Sequence, residues 1–221
     1  RWFMLAMELS LALGFLLVVF CCFGIILEDS RYTPWQIIYL WYNVDMKKAF
    51  VFDFDDTLAT TECKVRVVRN GSKLPLKKLT PAEYNEYEIE AVNEYEYDFS
   101  EFRSEKFIRN ANPTFLMALA QEVYKEGHSV YVLTARSDSM VVAITDFLLG
   151  YNVKPMKVFG VGSDEVKLDI AAEKKKVLET LCQAFDLVYF YDDCDKNCDL
   201  AREVGSGIKV YTVWGYYVSR S

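Results

Sequence analysis

Phe50-Val51-Phe52-Asp53-Phe54-Asp55-Asp56-Thr57-Leu58 is the stretch around which the chain is organised. An apolar run of Val and Phe ends in two carboxylates two residues apart, followed by a Thr. Residues i and i+2 of a strand face the same side. Asp53 and Asp55 are therefore expected to emerge together where a strand over about Ala49–Phe54 gives way to a loop. Two carboxylates held this close to a core repel each other and lose solvation. The usual compensation is a hard cation with oxygen ligands. The plainer alternative is a polar strand end followed by an Asp-rich turn.

Beyond this stretch, apolar runs alternate with helical periodicity. A helix is expected from Asn112-Pro113, with Phe115, Leu116, Ala118, Leu119 and Val123 on one face and Gly127 at its end. Val130 to Leu133 is a buried strand leading into Thr134-Ala135-Arg136-Ser137. Val141 to Leu149 is helical and Gly150 closes it. Val158 to Gly162 is a short strand. Asp169 can cap a helix that runs through Lys174-Lys175-Lys176 to about Ala184. Leu187 to Tyr191 is a fourth strand ending in Asp192-Asp193, Asp199 to Val204 a helix stopped by Gly205, and Ile208 to Val213 a fifth strand. This alternation predicts an α/β fold with a parallel sheet and helices on both faces. Ligands of such sheets bind at the carboxyl ends of the strands, near a topological switch point. Asp53, Thr134 and Asp192 all fall at such ends.

Residues 58–108 form an insert. Lys64 to Val68 alternates, Asn70-Gly71 is a hairpin signal, and Leu74 to Leu79 can return as a second strand. Thr80-Pro81-Ala82-Glu83 has a capping box with Pro at the first helical position. The Tyr- and Glu-rich stretch after it, Tyr84, Glu86, Tyr87, Glu88, Glu90 and then Tyr95 to Asp98, reads as a solvated charged face or as a small cap whose aromatics touch substrate.

Residues 1–45 differ in composition from the rest. Leu9 to Leu27 is uncharged and long enough to span a bilayer as a helix, with aromatic residues on either side. No small-residue cleavage site follows, so a cleaved signal peptide fits less well. Met46 stands directly before the first strand, and every motif lies beyond it. The expectation is a catalytic unit over 46–221 in the cytoplasm, with 1–45 an upstream extension. The competing expectation is a membrane anchor with the same domain on the cytoplasmic side.

The 221 residues are 52% hydrophobic, enough for a sizeable core. Twenty-five basic residues against 32 acidic ones give a formal charge of −7, which argues against a broad grip on nucleic acid. A single histidine, His128, excludes a Cys2His2 finger, a three-His zinc site and an HExxH protease. It reads as a turn residue. The six cysteines contain no CxxC pair and suggest reduced thiols rather than a disulfide framework.

Asp53-Phe54-Asp55-Asp56-Thr57 resembles the first motif of the haloacid dehalogenase (HAD) superfamily, Asp-x-Asp-x-Thr after an apolar strand. Three further motifs follow in the family's order: Thr134, a Lys on the helix before the fourth strand, and Asp192-Asp193. The resemblance covers about residues 47–214. It implies the HAD fold, a Rossmann-like doubly wound parallel sheet with a small cap insert. It also implies a Mg²⁺-dependent phosphatase acting on a phosphorylated small molecule or a nucleic acid end. Asp53 would be the nucleophile that forms an aspartyl-phosphate. Asp55 would be the general acid and base. Metal ligands would be Asp53, Asp55 (through its backbone carbonyl) and Asp192, with Thr57 and Asp193 in support. Thr134, Ala135, Arg136 and a lysine would hold the substrate phosphate. Lys174 matches the pattern of a Lys one turn before an apolar residue, here Leu178. Lys175, Lys176 and Lys167 are alternatives. Thr134-Ala135-Arg136 is similar to the Ser/Thr-Gly-Arg of the phosphatase domain of polynucleotide kinase/phosphatases, including phage-encoded ones, with Ala135 in place of Gly. The plainer role for Arg136 is an ion pair with Asp138 or Glu126. A reading from another class is a non-catalytic binding or regulatory module on the same fold.

Overall fold

β1 (Lys48–Phe52) lies at the centre of the sheet, and Ala49 to Phe52 are buried on both sides. Cover on both faces is why the stretch is apolar without alternation. The computed structural model describes residues 46–72, 74–87, 93–163, 168–214 and 217–220. The apolar run Leu9 to Leu27, with the rest of 1–45, lies outside the described residues, as do Glu88, Glu90 and Lys167. Among the described residues no helix is long and apolar enough to cross a membrane.

The main sheet runs in the order β8 (Lys157–Gly162), β7 (Ser129–Ser137), β1, β9 (Leu187–Asp192), β10 (Ile208–Trp214), β11 (Tyr217–Arg220). The first five strands are mutually parallel and β11 pairs antiparallel to β10. From β1 the chain moves outward through β7 to β8, then returns to the other side of β1 for β9 and β10. The strand order therefore reverses between β1 and β9, and a crevice opens at their carboxyl ends.

Alternation sorts the side chains of β1 into two layers. Phe50 and Phe52 pack with Leu116, Met117, Ala120 and Val123 of α3 (Leu116–Lys125) and with Ala143, Ile144 and Leu148 of α4 (Val141–Gly150). Ala49 and Val51 pack with Leu178 and Leu181 of α5 (Ile170–Ala184) and with Cys198 and Ala201 of α6 (Asp195–Arg202). Full burial of a side chain the size of Phe52 contributes about 1.5–3 kcal/mol.

The insert between β1 and α3 starts and ends on a two-strand stem, β2 (Ala59–Thr60) against β6 (Asn112–Pro113). Above the stem, β3 (Val65–Arg69) is flanked by β4 (Pro75–Leu79) and β5 (Tyr95–Asp98), both antiparallel to it. Helix α1 (Pro81–Glu86) begins with the expected capping box, Thr80 and Glu83 each bonding the other's backbone N–H. Val65, Val67 and Leu79 gather Tyr84, Tyr87, Tyr97 and Phe102 into a separate small core. A short 3-10 turn (Ser100–Arg103) and α2 (Glu105–Arg109) lead back to the stem.

Several expected boundaries move. β1 stops at Phe52 and not Phe54, because the chain folds back at once: the N–H groups of Leu58 and Ala59 both donate to the Phe54 carbonyl. Asp56 takes a left-handed φ of 54° in this loop, a conformation its short polar side chain tolerates. The helix expected from Asn112-Pro113 begins at Leu116, since those two residues are spent on the stem. Tyr95 to Asp98, for which the sequence predicts no element, is a strand. The helix expected at Asp199 starts at Asp195.

Candidate active site

Two neighbouring strand ends carry the central carboxylates. Asp53 follows β1 directly, and its N–H donates to the Tyr191 carbonyl at 2.8 Å. Asp192 is the last residue of β9. Between them lies the Lys174 ammonium, 2.6 Å from Asp53 Oδ1 and 2.7 Å from Asp192 Oδ2. Helix α5 aims it there. Asp169 caps the helix, accepting from the Ala172 N–H, and Ala171, Lys174, Leu178 and Leu181 form its buried face at helical spacing. Lys175 and Lys176 leave that face for exposed partners, Glu203 and Glu173. The structure thus separates three consecutive lysines that sequence alone left open.

Asp192 is held further by the Cys194 N–H at 2.9 Å and by Asn197 Nδ2 at 3.0 Å. Asn197 is a site residue that the sequence reading missed. Starting α6 at Asp199 placed it in a loop, whereas a start at Asp195 puts it in the first turns, where a buried Asn needs a partner.

The electrostatics of the cluster are dominated by burial. Loss of solvent pushes the Asp53 carboxyl well above the usual carboxylate range, Lys174 pulls it back, and Asp192, Asp193 and Asp55 push it up again. Asp193 is raised to about 7, first by burial and then by Asp192. Burial opposes the charge on Lys174, but Asp192 and Asp53 outweigh it and hold the ammonium above its ordinary value. With Asp53, Asp192 and Asp193 ionised, three negative charges face one positive charge, leaving two uncompensated. Among the described residues no three metal-ligating side chains are drawn into a finished cluster. The donor chemistry nonetheless fits Mg²⁺, since every candidate ligand is a hard oxygen and the charge deficit is that of a divalent cation.

Asp55 sits differently from expectation. Its carboxylate accepts from Arg136 in a two-pronged pair, Nε to Oδ2 at 2.8 Å and one terminal nitrogen to Oδ1 at 2.7 Å. The Thr61 hydroxyl donates to Oδ1 at 2.9 Å. Arg136 therefore pairs neither with Asp138 nor with Glu126, and its guanidinium is turned onto Asp55 rather than held free for a substrate phosphate. Any metal contact from Asp55 is left to its backbone carbonyl.

Thr134 is buried at the last regular pair of β7 with β8, opposite Gly160, and its Oγ1 accepts from the Arg136 N–H at 3.2 Å. The ladder then slips, and Ser137 pairs with Gly162. At Gly162 an added Cβ would lie 2.0 Å from the Ala135 carbonyl oxygen, so only Gly lets β8 approach this bend. Thr57 is fully buried, and its hydroxyl has no hydrogen-bond partner among the described residues. Its carbonyl accepts from the Thr114 hydroxyl, which fixes the loop to the start of α3. His128 stands at a turn, half-buried against Phe50.

A cavity of about 310 Å³ opens over these residues. Asp53, Asp55, Arg103, Arg136, Lys174, Asp193 and Asn197 form its polar part, with Ala135, Ser137 and Ser163 beside them. Tyr84, Phe99 and Phe102 of the insert form an aromatic wall. Those rings meet edge-on, Tyr84 to Phe99 at 5.3 Å and Phe99 to Phe102 at 6.2 Å.

No protein-family model matches the chain, and no curated protein matches it. Among solved structures, a HAD family enzyme from Bacteroides thetaiotaomicron is 15% identical, with a TM-score of 0.44 over 77% of this chain and 95% of that one. A haloacid dehalogenase-like hydrolase from Streptococcus pneumoniae is 14% identical, with a TM-score of 0.43 over 77% and 86%. The Pnkp1/Rnl/Hen1 RNA repair complex is 13% identical, with a TM-score of 0.46 over 85% of this chain and 58% of its counterpart. The chain resembles each of these at a distance, and its resemblance to the HAD superfamily is carried by the four motifs, three at strand ends and the lysine on α5.

Proposed function

We infer that the chain is a Mg²⁺-dependent phosphomonoester hydrolase that works through an aspartyl-phosphate on Asp53. The observation that carries this reading is the Asp53–Lys174–Asp192 arrangement at the β1/β9 switch point, opening into the cavity. Buried carboxylates in mutual repulsion cost stability, and a fold with no use for them has more stable alternatives. Asp53, Asp192 and the backbone carbonyl of Asp55 would hold the metal ion, with Asp193 in support. When bound, Mg²⁺ screens the substrate's negative charge from the attacking carboxylate.

The chain's own residues supply the remainder. Asp53 Oδ2 is left free by Lys174, which bonds Oδ1, and attacks phosphorus in line with the departing oxygen. Lys174 favours the ionised form of the nucleophile against the burial that opposes it, and adds positive charge where phosphoryl charge builds up. Asp55 protonates the leaving oxygen, then takes a proton from the water that hydrolyses the acyl-phosphate. Thr134 and the backbone N–H groups of the Ala135 bend cradle the phosphoryl oxygens.

The substrate is a phosphomonoester whose organic part packs against Tyr84, Phe99 and Phe102. A preference for nucleotides or 3′-phosphorylated nucleic acid ends would rest on Thr134-Ala135-Arg136, whose guanidinium is engaged with Asp55.

The test is release of inorganic phosphate from p-nitrophenyl phosphate and from a panel of nucleotides, sugar phosphates and 3′-phosphorylated oligonucleotides. Turnover with Mg²⁺ that EDTA abolishes supports the reading. Absence of turnover across the panel favours the non-catalytic module.

A further inference from the structure

Arg136 is 3% exposed, and nearly all its hydrogen-bonding capacity is used inside the protein. Nε and one terminal nitrogen grip the Asp55 carboxylate. The other terminal nitrogen donates to the Phe102 carbonyl at 2.6 Å. The nitrogen on Asp55 also lies 3.5 Å from Thr61 Oγ1 and 3.4 Å from Cys63 Sγ. The guanidinium carbon stands 5.1 Å from the Phe102 ring centre and 5.9 Å from that of Phe54. A guanidinium has five N–H donors in a fixed fork. With the fork closed on Asp55, it has no second fork to offer a phosphate.

Its partners fall in two groups. Asp55 belongs to the loop after β1, and Arg136 itself to β7 of the central sheet. Thr61, Cys63 and Phe102 belong to the insert. Asp55 is thus fixed from the sheet by Arg136 and from the insert by Thr61, and Arg136 is in turn fixed to the insert through Phe102. Lys64 and Glu101 join the same two ends of the insert, the Lys64 N–H donating to Glu101 Oε2 at 2.9 Å. The direction in which Asp55 points is set by where the insert sits.

We propose that Arg136 is a positioning residue for Asp55, not a substrate ligand, and that it couples the aim of the acid/base carboxylate to the seating of the aromatic cap. The proposal rests on the phosphatase reading above, because it assigns Asp55 the proton transfers. Among the described residues the Arg136 side chain bonds Asp55, Phe102, Thr61 and Cys63, and none of its hydrogen bonds goes to Asp53, Asp192 or Asp193. It acts through Asp55 alone.

A double-substitution cycle on the full chain, with Mg²⁺ and p-nitrophenyl phosphate, tests it. Arg136→Gln should lower kcat about 10–100-fold, the usual loss when an orienting partner is removed, and leave KM within about twofold. In an Asp55→Asn background the same substitution should cost nothing further, because the group it positions is gone. A raised KM at unchanged kcat would make Arg136 a substrate ligand and overturn the proposal. An equal loss in both backgrounds would overturn it too, since Arg136 would then act independently of Asp55. If Arg136→Gln leaves Asp55 unpaired and the protein unfolded, Thr61→Val carries the same cycle. It removes the second donor to Asp55 without stranding a charge, and it should lower kcat only where Asp55 is present. A wild-type protein that is folded yet inactive on every phosphomonoester refutes the phosphatase reading itself, whereas an active wild type with additive losses refutes only the role of Arg136.

Discussion

Lys174 is the residue on which the site's charge balance depends. Removing one partner of a buried ion pair leaves an uncompensated charge, at about 3–5 kcal/mol. Lys174→Met should therefore destabilise the fold by that order and abolish turnover. Lys175→Met and Lys176→Met remove solvated pairs, and each should cost about 0–1 kcal/mol with activity retained. Urea denaturation of the three variants reads the difference. If Lys175→Met were the inactive variant, the structural assignment of the lysine would be wrong. Asp193 gives the pH counterpart. Its carboxyl is raised from an ordinary 3.8 to about 7 in the fold. Between those values the folded protein binds more protons than the unfolded chain, so its contribution to stability is full below about pH 4 and is lost as pH rises through about 7. Without metal, Tm should fall across this window, and Asp193→Asn should flatten part of the slope. Mg²⁺ should restore stability above pH 7, by about 2.7 kcal/mol at one hundred times its Kd. A Tm indifferent to both Asp193→Asn and Mg²⁺ would mean that the cluster is not a cation site.

At the scale of elements, the bend after Thr134 depends on glycine at Gly162. A methyl group there would meet the Ala135 carbonyl oxygen, which is backbone and cannot rotate away. Gly162→Ala should cost about 1–3 kcal/mol and should displace Ala135 and Arg136, so activity should fall more than stability alone explains. Retained kcat with a lowered Tm would mean that the bend is structural only. This element also shows what the sequence could and could not convey. The five parallel strands were legible because each is an apolar run bounded by turn residues. Asp53 and Asp192 were legible because carboxylates at the ends of such runs demand compensation. The identity of the lysine needed the phase of α5, which Lys174-Lys175-Lys176 does not reveal by composition. Arg136 pairing with Asp55 was not legible, since the two are 81 residues apart and only the insert's fold brings Thr61 and Phe102 to the same place. Asn197 was hidden by a helix start placed four residues late.

At the scale of the molecule, the three-stranded part of the insert has its own core, joined to that of the sheet by the stem, by Ile108 of α2 and by the Arg136 contacts. Exchange protection should follow that division. Amides of β1, β7 and β9 should exchange most slowly and those of β3, β4 and β5 faster, as read by hydrogen–deuterium exchange with mass spectrometry. Uniform protection would show that the insert opens only with the whole fold. The proposed chemistry is covalent, with Asp53 as the residue that would take the phosphoryl group. In Asp55→Asn protein Asp53 should still attack an aryl phosphate with a good leaving group, but the intermediate should be hydrolysed slowly, because the base for the second step is gone and that base contributes about 10²–10⁴-fold. Acid quenching during turnover, followed by peptide mass spectrometry, measures the outcome. The account predicts one added phosphoryl group on the peptide containing Asp53, absent with EDTA and absent in Asp53→Asn. Phosphate on any other residue, or undiminished turnover by Asp53→Asn, would contradict it.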